Sequence, residues 1–187
     1  MAASLQALAC AMLLLAVSPS PLACTASKTL LQDRCESYAG GDRSSYDYCV
    51  RTLRRDNKSA TADELGLAVI AARMARATAK ATGVKIAWLR ANETVPVRRD
   101  CLAACAREYA AAVRRLGHAA SAARAGKLQH AQTLLAEATG TPALCDAAFA
   151  AARQDSPLAD ADLGLDDQIE LAIAILPAPR PSLPART

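Results

Sequence analysis

The sequence predicts an all-α protein, an up-down-up-down four-helix bundle with a disulfide-stapled helical hairpin at its N-terminal side. Three observations support this prediction. Apolar residues recur at steps of three and four along most of the chain, aromatic residues make up only 3% of it, and five cysteines follow the N-terminal leader. The many small side chains let helices approach closely, whereas a β-sandwich needs β-branched and aromatic residues.

The leader is the first element. Residues 1–26 contain no charged side chain, and an apolar core runs from Leu5 to Val17. This pattern predicts a cleaved secretory signal at 1–26 with a cut after Ala26, the alternative being a cut after Ala23. The apolar run of about 13 residues is shorter than the roughly 20 needed to span a bilayer, so no membrane association is expected after cleavage.

Glycosylation signals indicate the same compartment. The chain has two asparagines, and each one heads an acceptor sequon, Asn57-Lys-Ser and Asn92-Glu-Thr. Both lie in polar stretches between helical segments. The sequence therefore predicts glycans at Asn57 and Asn92 of a secreted protein.

The chain after the leader has the length of one domain, predicted at 27–176, with a hairpin at 27–56 and a bundle at 61–176. The tail 177–187 contains four prolines and is predicted to be disordered. The net charge of +4 is unevenly placed, because 19 basic and 10 acidic residues precede Leu128. A basic face suits an acidic polysaccharide or a protein partner, and a nucleic-acid partner is not expected because aromatics are not interleaved with the arginines.

The hairpin is predicted from short, punctuated sequence. Lys28 to Arg34 favours a brief helix, the Gly40-Gly-Asp42 turn follows, and Ser44 or Ser45 can cap a second helix that carries Tyr46 to Leu53. A Cys35–Cys49 bridge would close a loop of about 15 residues and contribute roughly 3 kcal/mol.

The first bundle helix shows the clearest periodicity. Thr61 and Glu64 form a possible capping box. Arg73, Arg76 and Lys80 fall on a face away from the apolar stripe, and Trp88 and Met74 are expected in the core. The predicted stripe consists of Leu67, Ile70, Met74, Ala77, Ala81, Val84 and Trp88.

Three further helices follow with the same periodicity. The second ends at Gly126, the third is interrupted at Gly140-Thr-Pro142, and the fourth begins with aspartates that favour a solvated helix start. A Cys105–Cys145 bridge between the second and third helices would contribute roughly 4 kcal/mol. The three stripes are Leu102, Cys105, Tyr109, Ala112, Leu116, Ala119 and Ala123; Leu128, Ala131, Leu135, Ala138, Cys145, Phe149 and Ala152; and Leu165, Ile169, Ala172 and Leu176.

The chain resembles the plant invertase/pectin methylesterase inhibitor family over about residues 27–176, in particular its pollen-allergen and invertase-inhibitor-like branch. Four motifs carry the resemblance: Cys35 with Tyr46-Asp-Tyr-Cys49, the run Ala62-Asp-Glu-Leu-Gly-Leu-Ala-Val-Ile70, Cys105-x3-Tyr109, and Cys145-x3-Phe149 with Ser156-Pro-Leu158.

The resemblance implies pairing of Cys35 with Cys49 and of Cys105 with Cys145, and stoichiometric binding to a cell-wall enzyme. Two departures stand out. Cys101 is an additional cysteine one turn before Cys105, so a Cys101–Cys145 bridge is an open alternative. The Pro-Lys-Phe tripeptide by which some invertase inhibitors contact their target does not occur in this chain.

No metal, cofactor or catalytic centre is expected. His118 and His130 are the only histidines, and they form no metal-ligand spacing. Asp160, Asp162, Asp166 and Asp167 lack the loop spacing of a calcium site. Cys101 has no signature of a nucleophile, and a free or alternatively bonded thiol is the prediction.

The sequence thus predicts a secreted, apoplastic and monomeric protein that is not an enzyme and that inhibits a pectin methylesterase or an acid invertase by covering its substrate cleft. The alternative is a secreted helical binding, signalling or allergen-like protein without inhibitory activity. Arg73, Arg76 and Lys80 are the candidate partner-binding residues. A vacuolar location is the less favoured one.

Overall fold

The computed structural model describes residues 28–178. The predicted signal 1–26 and nearly all of the predicted tail lie outside the described residues. The described part of the chain is helical throughout and contains no strand, so the prediction of an all-α protein is confirmed. Its helices are α1 (Leu30–Ala39), α2 (Arg43–Leu53), a short 3-10 helix (Asn57–Ala60), α3 (Glu64–Asn92), α4 (Pro96–Arg124), α5 (Leu128–Thr139), α6 (Thr141–Ala151) and α7 (Ala159–Ile175).

The first two helices form a hairpin that the Cys35–Cys49 disulfide closes. The turn between them uses Gly40 and Gly41, both with positive φ, a conformation that glycine adopts without steric cost. The predicted cap of α2 was wrong. Asp42, rather than Ser44 or Ser45, is the N-cap, because its carboxylate accepts hydrogen bonds from the Ser45 amide and the Ser44 hydroxyl.

The two longest helices, α3 and α4, pack side by side. Each has 29 residues, and only residues 93–95 connect them, so they run in opposite directions. The N-cap of α3 is Asp63, which accepts a hydrogen bond from the Gly66 amide at 2.7 Å. The predicted Thr61 cap was therefore wrong by two residues, because the helix begins later than the capping-box spacing indicated.

The register of the apolar stripe on α3 also differs from the prediction. Val84 and Trp88 are each 65% exposed, and Met74 is only partly buried. The buried face beyond Ile70 consists of Ala71, Ala72, Ala75, Ala79, Thr82 and Ile86. Small residues form most of this face, where α3 packs against α4 and α7, while Val84 and Trp88 point outward.

The stripes predicted for the later helices are buried as expected, apart from partial exposure of the residues at their ends. The interruption at Gly140 divides the third predicted helix into α5 and α6, and Pro142 lies in the first turn of α6, where its missing amide proton costs nothing. The Cys105–Cys145 disulfide joins α4 to α6. Helix α7 packs against α3, α5 and α6 and completes the core.

The hairpin is attached to the remaining helices by packing and by one ion pair. Leu31, Cys35, Cys49 and Leu53 belong to the same buried cluster as the cores of α3 to α7. The guanidinium of Arg34 lies 2.6 Å from the Glu64 carboxylate at the start of α3. Among residues 28–178, none of the helices has both the length and the apolarity needed to cross a membrane.

The cysteine arrangement gives a first prediction. Non-reducing peptide mapping of the purified protein should recover Cys35 linked to Cys49 and Cys105 linked to Cys145. Cys101 is buried, so a thiol reagent should modify it only after denaturation. A dominant peptide that links Cys101 to Cys145 would contradict the arrangement.

The same arrangement predicts a stability difference. Replacement of Cys105 and Cys145 by alanine should lower the free energy of unfolding by about 2–5 kcal/mol, as for small secreted domains that lose a native crosslink. The matched control is Cys101→Ala, which removes one buried sulfur and no crosslink and should cost less. Urea unfolding at neutral pH measures both.

Candidate partner-binding surface

An arginine-lined groove runs between α3 and α4 on the surface of the molecule. Its volume is about 430 Å³. Helix α3 contributes Arg73 and Arg76, and helix α4 contributes Arg114, His118 and Arg124, all of them exposed. The remaining lining residues are Val113, Gly117, Ala120 and Ser121.

Arg76 is held in place by the backbone of α4. Its Nε donates a hydrogen bond to the Val113 carbonyl at 3.2 Å. A Cβ at Gly117 would lie 3.0 Å from this Nε and 3.4 Å from the Arg76 Cδ. The glycine thus leaves the space in which the arginine side chain crosses from one helix to the other.

The groove arginines have no acidic partner within the described chain. No acidic residue is among the lining residues. Within the described chain, none of the groove arginines has a carboxylate within 4.0 Å. Other arginines of α4 differ, since Arg98 lies 2.9 Å from Glu93 and Arg115 lies 3.7 Å from Glu137.

The structure brings together two of the three candidate partner-binding residues. Arg73 and Arg76 line the groove, whereas Lys80 is exposed one turn further along α3 and is not among the lining residues. Sequence reasoning missed the contribution of α4. The spacing of Arg114, His118, Ser121 and Arg124 by four, three and three residues places them on one helix face, and this signal could have identified them.

The solvent-facing side of α3 carries a second feature. Lys80, Val84 and Trp88 follow one another at intervals of four residues and therefore form a ridge along the helix. All three are exposed. The ridge combines a cation with the exposed indole, which the sequence had placed in the core.

A polar pair is buried between α4 and α7. The Tyr109 hydroxyl donates a hydrogen bond to Oδ1 of Asp162, and both side chains are buried. Asp162 is only 3% exposed, so its predicted place in a solvated helix start was wrong. Asp160 and Asp167 are exposed as predicted. Helix α7 begins at Ala159, which turns Asp162 toward α4 rather than toward water.

Burial sets the protonation of this pair. It raises the pKa of Asp162 to about 6, and the neighbouring Asp146 and Asp166 carboxyls act in the same direction, while the Tyr109 hydrogen bond opposes them. Burial and the contact with Asp162 raise the pKa of Tyr109 above its usual range. The second carboxyl oxygen of Asp162 has no hydrogen-bond partner among the described residues.

The two histidines lie together, apart from the unpaired cysteine. His118 and His130 line a shallow cavity of about 240 Å³ together with Lys127. Residues 28–178 contain no group of three or more His, Cys, Asp or Glu that could hold a metal ion. The Cys101 thiol is buried and donates to the Ala148 carbonyl at 3.3 Å.

A cavity of about 900 Å³ lies where the hairpin meets α3 and α5. The ion pair of Arg34 and Glu64 occupies its wall, together with Lys127 and His130. The Glu64 carboxylate is already paired with a guanidinium. This ion pair is therefore a structural contact between the hairpin and α3 and not a general acid paired with a general base.

Both sequon asparagines are exposed. Asn57 begins the 3-10 helix, and Asn92 is the last residue of α3. The Asn92 side-chain amide donates to the Trp88 carbonyl at 2.8 Å. Both positions are at the ends of elements, where an attached glycan would extend into solvent.

A model of the plant invertase/pectin methylesterase inhibitor family matches residues 29–175. Among curated proteins no match is found.

The asparagines give the second prediction. Expression in a plant secretory host should add glycans at Asn57 and Asn92, and glycosidase treatment should lower the mass in two steps. The variants Asn57→Gln and Asn92→Gln should each remove one step. An unchanged mass of wild-type protein recovered from the medium would contradict the use of either site.

Asp162 gives the third prediction. Its pKa of about 6 in the folded chain lies above the ordinary 3.8, so the folded state binds the proton more tightly than the unfolded state. The stabilisation is therefore complete below about pH 4 and is lost as the pH rises toward 6. The difference is at most roughly 3 kcal/mol.

The variant Asp162→Asn should flatten this part of the stability profile, measured by urea unfolding between pH 4.5 and 7. The matched control is Asp160→Asn on the same helix, which removes an exposed carboxylate and should leave the profile unchanged. Equal pH dependence of wild type and Asp162→Asn would disprove the assignment.

Proposed function

The chain belongs to the plant invertase/pectin methylesterase inhibitor family, and from this premise we propose that it inhibits a pectin methylesterase or an acid invertase by stoichiometric binding. The observation that carries the proposal is the family match over residues 29–175, nearly the whole described chain. In this proposal the protein performs no catalysis and acts as a monomer that blocks the substrate cleft of its target.

We propose that α3, α4, the α5–α6 pair and α7 are the four members of an up-down-up-down bundle. The short connections at 93–95 and 125–127 support this arrangement. The domain division proposed with it is a signal at 1–26, a hairpin at 27–56, a bundle at 61–176 and a tail at 177–187.

The rigidity of the helices supports a steric mechanism. Two disulfides fix the hairpin and the α4–α6 contact, so few backbone degrees of freedom remain to be lost on binding. A rigid inhibitor pays less conformational entropy when it docks, and a larger part of the contact energy appears as affinity.

The proposed contact surface is the solvent face of α3. It carries the candidate residues Arg73, Arg76 and Lys80, and beyond them the exposed Val84 and Trp88. Tryptophan and arginine are the residue types that most often dominate the binding energy of protein interfaces. A surface that combines both on one helix suits a protein partner.

The location follows from the same premise. Members of this family are typically secreted to the cell wall. We propose the apoplast as the site of action, with the 1–26 leader as the secretory signal and with glycans at Asn57 and Asn92.

Inhibition is the fourth prediction. Mature protein titrated against a pectin methylesterase and an acid invertase at pH 5–6 should abolish the activity of one of them at a molar ratio near 1:1. The complex should co-elute in gel filtration and weaken with rising salt, because charged contacts are screened. Full activity of both enzymes with excess protein and no co-elution would favour the non-inhibitory binding protein.

The contact surface can be tested with charge reversals. The triple variant Arg73→Glu, Arg76→Glu and Lys80→Glu should weaken inhibition at least tenfold, and so should Trp88→Ala. The matched control reverses Arg51, Arg54 and Arg55, which lie outside α3, are exposed and have no ion-pair partner in the described chain. Unchanged inhibition by the first triple variant would remove this face from the interface.

A further inference from the structure

We propose that the arginine-lined groove between α3 and α4 binds a polyanionic polysaccharide through its carboxylates, as a run of uronate residues presents them. The proposal goes beyond enzyme inhibition, because the ligand is a polysaccharide and no enzyme takes part. It starts from the concentration of cations in one groove.

The charge of the groove is the first argument. Arg73, Arg76, Arg114 and Arg124 line one open groove that contains no acidic side chain. Exposed cations repel each other within the screening length of about 8–10 Å at moderate ionic strength, and Arg73 and Arg76, one turn apart on α3, meet this condition. An anion that bridges them offsets this repulsion, and this relief favours the binding of an anion in the groove.

The chemistry of the side chains is the second argument. All four are arginines, whose planar guanidinium groups can donate two parallel hydrogen bonds to one carboxylate. At Arg76 only the Nε is occupied, by the Val113 carbonyl. Its terminal nitrogens have no partner among the described residues, and the absence of a side chain at Gly117 leaves room for the arginine.

The shape of the groove is the third argument. Arg114 and Arg124 are ten residues apart on one helix, which corresponds to about 15 Å along its axis. The groove is open rather than enclosed. An extended chain with repeated carboxylates can therefore contact several arginines at once, whereas a single small anion would reach one or two.

The lining selects among polyanions. No Phe, Tyr or Trp side chain lines the groove, so the large stacking platforms that single-stranded nucleic acids use are missing. A pectin methylesterase, one of the two targets proposed above, leaves free carboxylates on pectin, and this step of the argument rests on that proposed function. Polyuronate is therefore the carboxylate ligand that we propose for the groove.

The test uses the full mature chain without any enzyme. Binding of oligogalacturonate is measured by isothermal titration at low salt, with fully methylesterified pectin and duplex DNA as comparison ligands. Wild-type protein should bind oligogalacturonate, lose affinity as salt rises, and not bind the methylesterified polymer.

The decisive comparison uses two double variants with equal change in net charge. Arg73→Gln with Arg114→Gln should lower the affinity at least tenfold. Arg51→Gln with Lys85→Gln, both outside the groove and exposed, should change it by less than twofold. Circular dichroism and thermal unfolding establish that both variants are folded.

Three results would overturn the proposal: no binding by wild type, equal weakening by the two double variants, or equally tight binding of duplex DNA through the same arginines. The first leaves no ligand, the second shows adsorption by net charge alone, and the third shows a patch without preference for carboxylates. Because no enzyme is present, these results are independent of whether the protein inhibits one.

Discussion

The close approach of α3 to α4 is the constraint on which the rest of the structure depends. Small residues permit it, since Ala75 and Ala79 of α3 are fully buried and Gly117 of α4 leaves room for the Arg76 side chain. This approach fixes which side chains of α3 face inward. It also brings the Arg76 side chain against the backbone of α4 at Gly117, so the arginine groove is a direct result of how these two helices pack.

The buried polar and covalent contacts are arranged around α4. Cys105 links it to α6, and one turn later Tyr109 donates to Asp162 of α7. Both contacts lie on the buried face of α4. Helix α4 is therefore held from one side by a crosslink and a hydrogen bond, while its arginines remain exposed to solvent. A helix fixed in this way can present charged groups at constant spacing, which is what recognition of a rigid partner or a regular polymer requires.

The two surfaces of α3 suit different kinds of contact. The ridge with Val84 and Trp88 offers apolar area that a protein partner can bury. The groove offers four guanidinium groups and no acidic side chain, and it therefore suits an extended anion. Arg73 and Arg76 belong both to the groove and to the proposed contact surface, since they lie where the exposed face of α3 meets the groove. A polysaccharide in the groove and an enzyme on the ridge would thus meet at these two side chains.

The sequence by itself determined the helical class, the family and the order of the elements. The segment from Leu102 to Ala123 shows why, because Leu102, Cys105, Tyr109 and Leu116 mark one face of the helix. The sequence also predicted the break at Gly140-Thr-Pro142, since proline cannot continue a helix from the preceding turn.

Only the tertiary structure decided the register of α3, the burial of Asp162 and the composition of the groove. Along α3 alanine occurs on several faces, and periodicity cannot distinguish an inward alanine from an outward one. The size of Val84 and Trp88 therefore misled the prediction, whereas packing against α4 selects the alanine face. Asp162 is buried because Tyr109, 53 residues earlier in the chain, supplies a hydrogen bond for it. The groove requires α3 and α4 in contact, and no local pattern contains the distance between two helices.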